Sequence, residues 1–465
     1  MSKKQRLKAN WADPTTTAEN EVLPKYLKWA WSSRGLSLAI NAMLIMQLTY
    51  YCTDILGMKA TLVGVLLLAS KIFDGITDLF AGYMIDHTRT KYGKARPYEI
   101  FIVFAWLLTI LLFSAPDIGT IGKSVYVFVL YSLINAVCAT FLNGTDAVYL
   151  ARSIRNADNR VSIMGFNGGI IMLISIIYAI MLPQLIASLG VTHMGWTIIV
   201  STTGIPLAII GMFRFLFVKE LAVDKEERVE LQKVSVKTGV RCIAKNKYIW
   251  MFAGMVLAAQ ACTNIGNAVN TYYFKYIVGD IGLASVVSLS SFVSVILMFI
   301  FPVLCKKIGA VRVLRLGAIV GAIGYAIRIV GGTNIITIII GSLMSGMAVL
   351  PITMMANIYL IDCMDYGEWK TGTRIEGMLN SLKTFSDKMG SGIASGLVGL
   401  IMGLGGYDGA LAVQSQAALT SIVVLFNYLP MILSILLLIL AIIYKLDKEL
   451  PKIKADLAAK HAKEQ

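Results

Sequence analysis

The sequence predicts an all-α membrane protein with twelve transmembrane helices in two pseudo-repeated halves of six. Three observations carry that prediction. Of 465 residues 57% are hydrophobic and 15% charged, with a mean hydropathy of +0.71, a balance at which a water-soluble chain would precipitate. Apolar runs near or above the ~20 residues a helix needs to cross the hydrocarbon core recur along the whole chain. The basic residues between those runs gather in every second loop.

In chain order, residues 1–26 are expected to be a cytoplasmic N-terminal segment, whose first 24 residues are polar, carry Pro14 and three consecutive threonines, and lack the apolar stretch of a cleavable signal. The first six spans are expected at 27–54, 61–86, 98–116, 123–150, 161–189 and 194–218, making a first domain over 27–218. A mixed-charge linker over 219–246 follows, with Glu226, Glu227, Arg228, Glu230, Lys233 and Lys237; it reads as a connector that can form a surface amphipathic helix. Six more spans, at 247–278, 284–304, 312–331, 334–363, 375–404 and 418–445, make a second domain over 247–445, and 446–465 is a short charged tail. Arg89, Lys91, Lys94 and Arg96 follow the second span, Arg152, Arg155 and Arg160 the fourth, and Lys306, Lys307, Arg312 and Arg315 the eighth. The odd-numbered loops hold little beyond Lys59 and Lys123, so the even side and both termini are expected in the cytoplasm of a multi-pass cell-membrane protein.

The loops after the second and eighth spans share a loose pattern: Gly82, Asp86, Arg89, Gly93 and Lys94 in one, and Lys306, Lys307, Gly309 and Arg312 in the other. A repeat at matching places in two six-span halves is the layout of a transporter whose site lies between repeats. Gly390, Gly392 and Gly396, with Ser391 and Ser395, suit close helix packing in the eleventh span.

Composition also excludes classes. The net charge of +15 lies in short loops facing anionic lipid, and no aromatic-and-basic stretch of the kind that reads single strands is present, so nucleic acid is excluded as partner. Six scattered cysteines without CxxC pairing and three histidines give neither a disulfide framework nor a zinc site. No Ser/His/Asp set or nucleotide loop is visible, so an enzyme is not expected, and no cofactor is implied.

The stretch Lys71–Pro97, KIFDGITDLFAGYMIDHTRTKYGKARP, concentrates the chemistry. Asp74 and Asp78, four residues apart, stand on one helix face with Lys71 a turn before them. A charge near the bilayer centre costs at least ~2.5 kcal/mol, so two acids there require a partner, a cavity or an ion. The plain alternative is a structural ion pair with Lys71, but one lysine does not neutralise two buried acids.

DxxxD followed by GxxxDxTRTKYGKARPY resembles the matching stretch of the glycoside-pentoside-hexuronide:cation symporters, the melibiose permease family within the major facilitator superfamily. DYGEWKTGTRIEGMLNSLKTFSDKMGSG, from Asp365 to Gly392, is similar to that family's tenth loop and eleventh helix, and similarity runs from near Tyr50 to about Tyr407. The resemblance implies the major facilitator fold and cation-coupled sugar transport. It implies that Asp74 and Asp78 bind the coupling cation, that Asp146 lies beside that site and contacts sugar, and that Asn143 stands where the family often offers a hydroxyl ligand. Lys388 is implied to link the sugar and cation sites. Two departures bear on substrate. Leu38 stands where the melibiose permease has a sugar-binding carboxylate, with Arg34 a turn earlier, and Asn167 replaces an arginine of the fifth helix. These argue against an α-galactoside, and Arg34 leaves room for an anionic hexuronide, its alternative being a place at the cytoplasmic lipid surface.

In the seventh span Gln260, Asn264 and Asn267 form one stripe, with Asn270, Tyr272 and Tyr273 beyond, suited to sugar hydroxyls and ring faces or to helix-to-helix hydrogen bonds. Asp86, Arg89, Lys94 and Arg96 are expected to latch the first half, and Asp362, Asp365 and Arg374 the second. The expectation is a symporter, working as a monomer in the lipid bilayer, that couples uptake of a sugar, glycoside or hexuronide to Na+ or H+, or Li+, by alternating access. The competing class is a non-transporting sugar sensor on the same scaffold.

Overall fold

The computed structural model describes residues 18–88, 90, 92–220, 236–288, 300, 304, 307–372 and 376–464. The described residues are overwhelmingly helical and fall into two compact units, Met1–Arg228 with Asp408–Ala410, and Val229–Tyr407 with Leu411–Gln465. Among the described residues eight helices are long and apolar enough to cross a membrane: Lys25–Ile55, Gly119–Ser153, Asp158–Ser188, His193–Phe217, Lys247–Val278, Ala310–Gly331, Ile335–Ala356 and Gln416–Ile443. Ala60–His87 and Glu376–Leu404, of 28 and 29 residues, have the length as well and bear the charged side chains. The third expected span is Phe101–Leu112, preceded by a 3-10 turn that Pro97 opens. Most of the eighth expected span lies outside the described residues.

In lipid the tails are as apolar as leucine, so helices associate through close packing and hydrogen bonds. The first unit shows both. A Cβ on Gly204 would lie 2.6 Å from the Trp106 ring, and one on Gly211 would lie 2.9 Å from Ser37 Oγ. Trp106 Nε1 donates to Ser37 Oγ at 2.8 Å, Ser37 donates to the Leu207 carbonyl at 2.7 Å, and Asn41 donates to Thr109 at 2.8 Å. The first, third and sixth spans are thereby pinned at one depth.

The two units repeat a device that the loop comparison misses. T-Y-Y-x3-I-x-G occurs at Thr49–Gly57 and again at Thr271–Gly279. Both copies end in a π-helical turn, Tyr51–Ile55 and Phe274–Val278, and both stop at a glycine with positive φ, +68° at Gly57 and +88° at Gly279. The second tyrosine of each ties down a neighbouring turn: Tyr51 Oη accepts from Ala115 N at 3.4 Å, and Tyr273 Oη donates to the Gly332 carbonyl at 3.1 Å. At the opposite helix ends the match continues. Arg96 Nε donates to the Phe215 carbonyl at 2.9 Å, and Arg315 Nε donates to the Ala441 carbonyl at 2.8 Å. Each arginine thus satisfies a carbonyl near the end of its half's last span, one of the groups a helix C-terminus leaves unpaired.

In the tenth span the expected continuous helix is broken at Met347–Val349, and its second part, Leu350–Thr371, runs past the expected end. The second half of the linker is the helix Val236–Lys245. The tail forms the helix Leu446–Glu464, which buries Leu446, Ile453 and Leu457 in the second unit's core.

Candidate functional site

Asp74 is buried and Asp78 half-buried on the helix Ala60–His87. Both meet one hydroxyl: Thr140 Oγ1 lies 3.1 Å from Asp74 Oδ1 and 2.9 Å from Asp78 Oδ1. Thr140 opens the helix Thr140–Ser153 just after the π-helical stretch Leu133–Ala139. An extra residue in a helical turn rotates everything after it by about 100°, so the π segment decides which face of the fourth span meets the acids. Lys71 Nζ donates to Asn135 Oδ1 at 2.9 Å and stands 3.8 Å from Asp74 Oδ2. Two acids and one ammonium carry a net charge of −1, which one bound monovalent cation or proton cancels. Among the described residues no three His, Cys, Asp or Glu side chains gather into a metal site.

The other residues expected nearby are dispersed. Asn143 is exposed and makes no side-chain hydrogen bond among the described residues, so the hydroxyl beside the acids comes from Thr140. Asp146 lies six residues beyond Thr140, about 240° round the helix, and so leaves it on a different face. It receives Arg34 Nη2 and, at 2.6 Å, Arg214 Nη1, both on Oδ1. Behind the two arginines sits Glu99, fully buried, 3.6 Å from each Nε. Arg34 and Arg214 are 3% and 2% exposed, which rules out the lipid surface as the place of Arg34. Arg214 is further held over the rings of Trp31 at 3.6 Å and Tyr149 at 4.8 Å. Asn167 is half-buried, its Oδ1 3.1 Å from where a Cβ on Gly35 would stand.

In the second unit Gln260 Nε2 donates to Asp387 Oδ1 at 3.1 Å, and Lys383 Nζ meets Asp387 Oδ2 at 3.2 Å. Gly390 lets the helices touch, since a Cβ there would lie 2.6 Å from the Leu257 carbonyl. Lys388 and Asn267 are half-buried, and Asn264 donates to the Gln260 carbonyl of its own helix at 2.8 Å. Part of the seventh-span stripe is therefore engaged in helix packing.

Arg89, Arg374 and the side chain of Asp86 lie outside the described residues. Lys94, Ala95 and Arg96 donate their backbone N–H groups to the Glu220 carboxylate at 2.8–2.9 Å, and Arg152 Nε lies 3.2 Å from it. Glu21 likewise accepts from Arg155 N and Asn156 N at 2.9 Å. Asp365 and Asp362 meet Lys454 of the tail at 3.9 and 3.5 Å. Sequence reasoning passed over Glu21, Glu99, Arg214 and Glu220, which lie near span ends, where single acids or bases look like solvated interface residues, and Asp387, which lies inside the eleventh span and is masked by the neighbouring Lys383 and Lys388. An arginine and a glutamate within apolar runs, at 214 and 99, were the available signal. A cavity of about 440 Å³ in the first unit is walled by Tyr26, Trp29, Leu36, Ile174, Phe213 and Phe217 and contains none of the expected site residues.

The family described as "MFS/sugar transport protein" matches residues 36–448. The isoprimeverose transporter of Lactiplantibacillus pentosus is 29% identical over 470 residues, covering 97% of this chain and 95% of the relative. The glucuronide carrier protein homolog of Escherichia coli (strain K12) is 26% identical over 380 residues, covering 77% and 79%. Among solved structures, one of proton-dependent oligopeptide transporters aligns with a TM-score of 0.63 at 13% identity over 92% of this chain and 100% of that one. A bacterial homolog of the human lysosomal transporter Spinster aligns at 0.62 and 11%, over 92% and 98%. At such identities the likeness shows the fold.

Proposed function

This chain belongs to the MFS/sugar transport protein family, and from that premise we propose that it is a secondary carrier of a sugar or glycoside, driven by a cation gradient through alternating access. The observation that carries the cation half is the single hydroxyl of Thr140 between Asp74 and Asp78. With the cation absent, two like charges crowd one hydroxyl in a site of low polarity. A proton or Na+ between them removes the repulsion, and the helices bearing Asp74 and Thr140 then hold one arrangement. Sugar binding is assigned to Asp146 and Lys388. If cation and sugar each favour the same arrangement, each raises the other's affinity by the same factor. The basic residues of the even loops put both termini in the cytoplasm, and the chain is proposed to work as a monomer.

The test is uptake and counterflow by the full-length protein in proteoliposomes, with isoprimeverose and a glucuronide as sugars and the Na+ and pH gradients imposed separately. Concentrative uptake under one gradient, lost in Asp74→Asn and Asp78→Asn, is the expected result. Sugar binding without counterflow would identify a sensor, and gradient-driven accumulation undiminished in both variants would refute the cation site.

A further inference from the structure

The cluster of Arg34, Arg214, Glu99 and Asp146 has two unlike ends. At the inner end Glu99 is fully buried, and neither of its oxygens has a hydrogen-bond partner among the described residues; it holds the two guanidiniums by charge alone. At the outer end the side chain of Asp146 is 34% exposed. Both arginines converge on Oδ1, and Oδ2 accepts no hydrogen bond from the described residues. Formal charges sum to zero, but they are ordered, with the partly exposed Asp146 carboxylate at one end and both cations between it and the buried Glu99. The guanidinium of Arg34, which the sequence offered to a substrate carboxylate, is already occupied by Asp146.

An approaching ligand therefore meets an acceptor. Sugar hydroxyls donate to such an oxygen, whereas a second carboxylate is repelled by it in a poorly screened setting. Glu99 matters because it cancels one of two adjacent cations; without it the arginines would outweigh Asp146 and the outer end would turn net positive. We propose that Arg34, Glu99 and Arg214 are positioning residues that present Asp146 Oδ2 to the hydroxyls of an uncharged sugar, so that this carrier selects neutral glycosides over uronates. The proposal rests on the carrier reading above and narrows its substrate class.

The probes are a methyl glucoside, a methyl xyloside and the methyl glucuronide, compared by counterflow in proteoliposomes and by direct binding to the purified full-length protein. The wild type is expected to favour the neutral sugars at least tenfold; preference for the glucuronide overturns the proposal whatever the variants do. Glu99→Gln is expected to shift the neutral-to-glucuronide ratio at least tenfold toward the glucuronide. Arg214→Gln is expected to raise the KM for neutral sugars at least tenfold while the cation concentration for half-activation, measured at saturating sugar, stays unchanged. A purely structural role would lower the yield of folded protein without moving the ratio or splitting those two constants, and an unmoved ratio in monodisperse Glu99→Gln protein refutes the positioning role. Binding without counterflow refutes the carrier reading but leaves the binding ratio to decide this one. Binding of neither class refutes both.

Discussion

Arg328 donates from Nη2 to the carbonyl of Phe426 at 3.0 Å, and that carbonyl is the one a helical bond from residue 430 would serve and Pro430, lacking an N–H, cannot. The guanidinium also lies 3.7 Å over the Phe426 ring, and Phe426 falls in the π-helical turn Val424–Tyr428. An arginine buried in an apolar span is here a substitute for a missing backbone donor.

A double-mutant cycle tests that account. Arg328→Ala is expected to lower the thermal midpoint of the purified protein, and the loss is expected to shrink by about 1 kcal/mol in a Pro430→Ala background, where an N–H is restored. Strict additivity of the two changes would show that the arginine serves something else.

Thr140→Val removes the hydroxyl shared by Asp74 and Asp78 while keeping the side chain's shape. A hydrogen bond to a charged group contributes about 1.5–3 kcal/mol, so the apparent affinity for the coupling cation is expected to change by about ten- to a hundredfold, with Thr140→Ser near wild type. Cation titration of sugar counterflow measures it, and equal titrations for valine and threonine would contradict the assignment.

Glu220 binds three backbone N–H groups of the loop that contains Gly93, and a Cβ on Gly93 would lie 2.3 Å from its Oε2. Gly93 also has φ +111°, a region other residues rarely adopt. Gly93→Ala and Glu220→Ala are each expected to destabilise the first unit by at least about 2 kcal/mol, since they strain or strip the same clamp. Protease cleavage within the loop in the intact protein, accelerated in both variants, is the readout.

The tail helix is held by two kinds of contact of unequal weight. Lys454 is 54% exposed, so its pairs with Asp362 and Asp365 are screened and Lys454→Ala is expected to lower stability by less than about 1 kcal/mol. Ile453 is 1% exposed, and Ile453→Ala is expected to lower it by about 2–4 kcal/mol. Thermal unfolding of both variants ranks them, and the reverse order would mean that the ion pairs anchor the helix.

Much of this protein is readable without coordinates because the bilayer imposes rules that act on short stretches. Span length, loop charge and the helical offset between Asp74 and Asp78 are properties of neighbouring residues, so they survive in the linear string. Breaks within spans did not show in the same way. The interruption at Met347–Val349 and the π turns at Leu133–Ala139 and Tyr51–Ile55 depend on which hydrogen bonds the backbone makes, and hydropathy does not report these.

By itself the sequence determined the all-helical membrane class, the two six-span halves and the paired acids, since each follows from composition or local spacing, and its motifs carried the resemblance to the family. Tertiary structure alone decided how the charges are shared. Thr140 faces the acids because a π turn rotates it there, and Asp146, six residues on, is drawn to arginines from the first and sixth spans. Arg34 and Arg214 are 180 positions apart, and Glu99 belongs to neither span. Partners so far separated meet through helix packing and rotation, which no local pattern encodes.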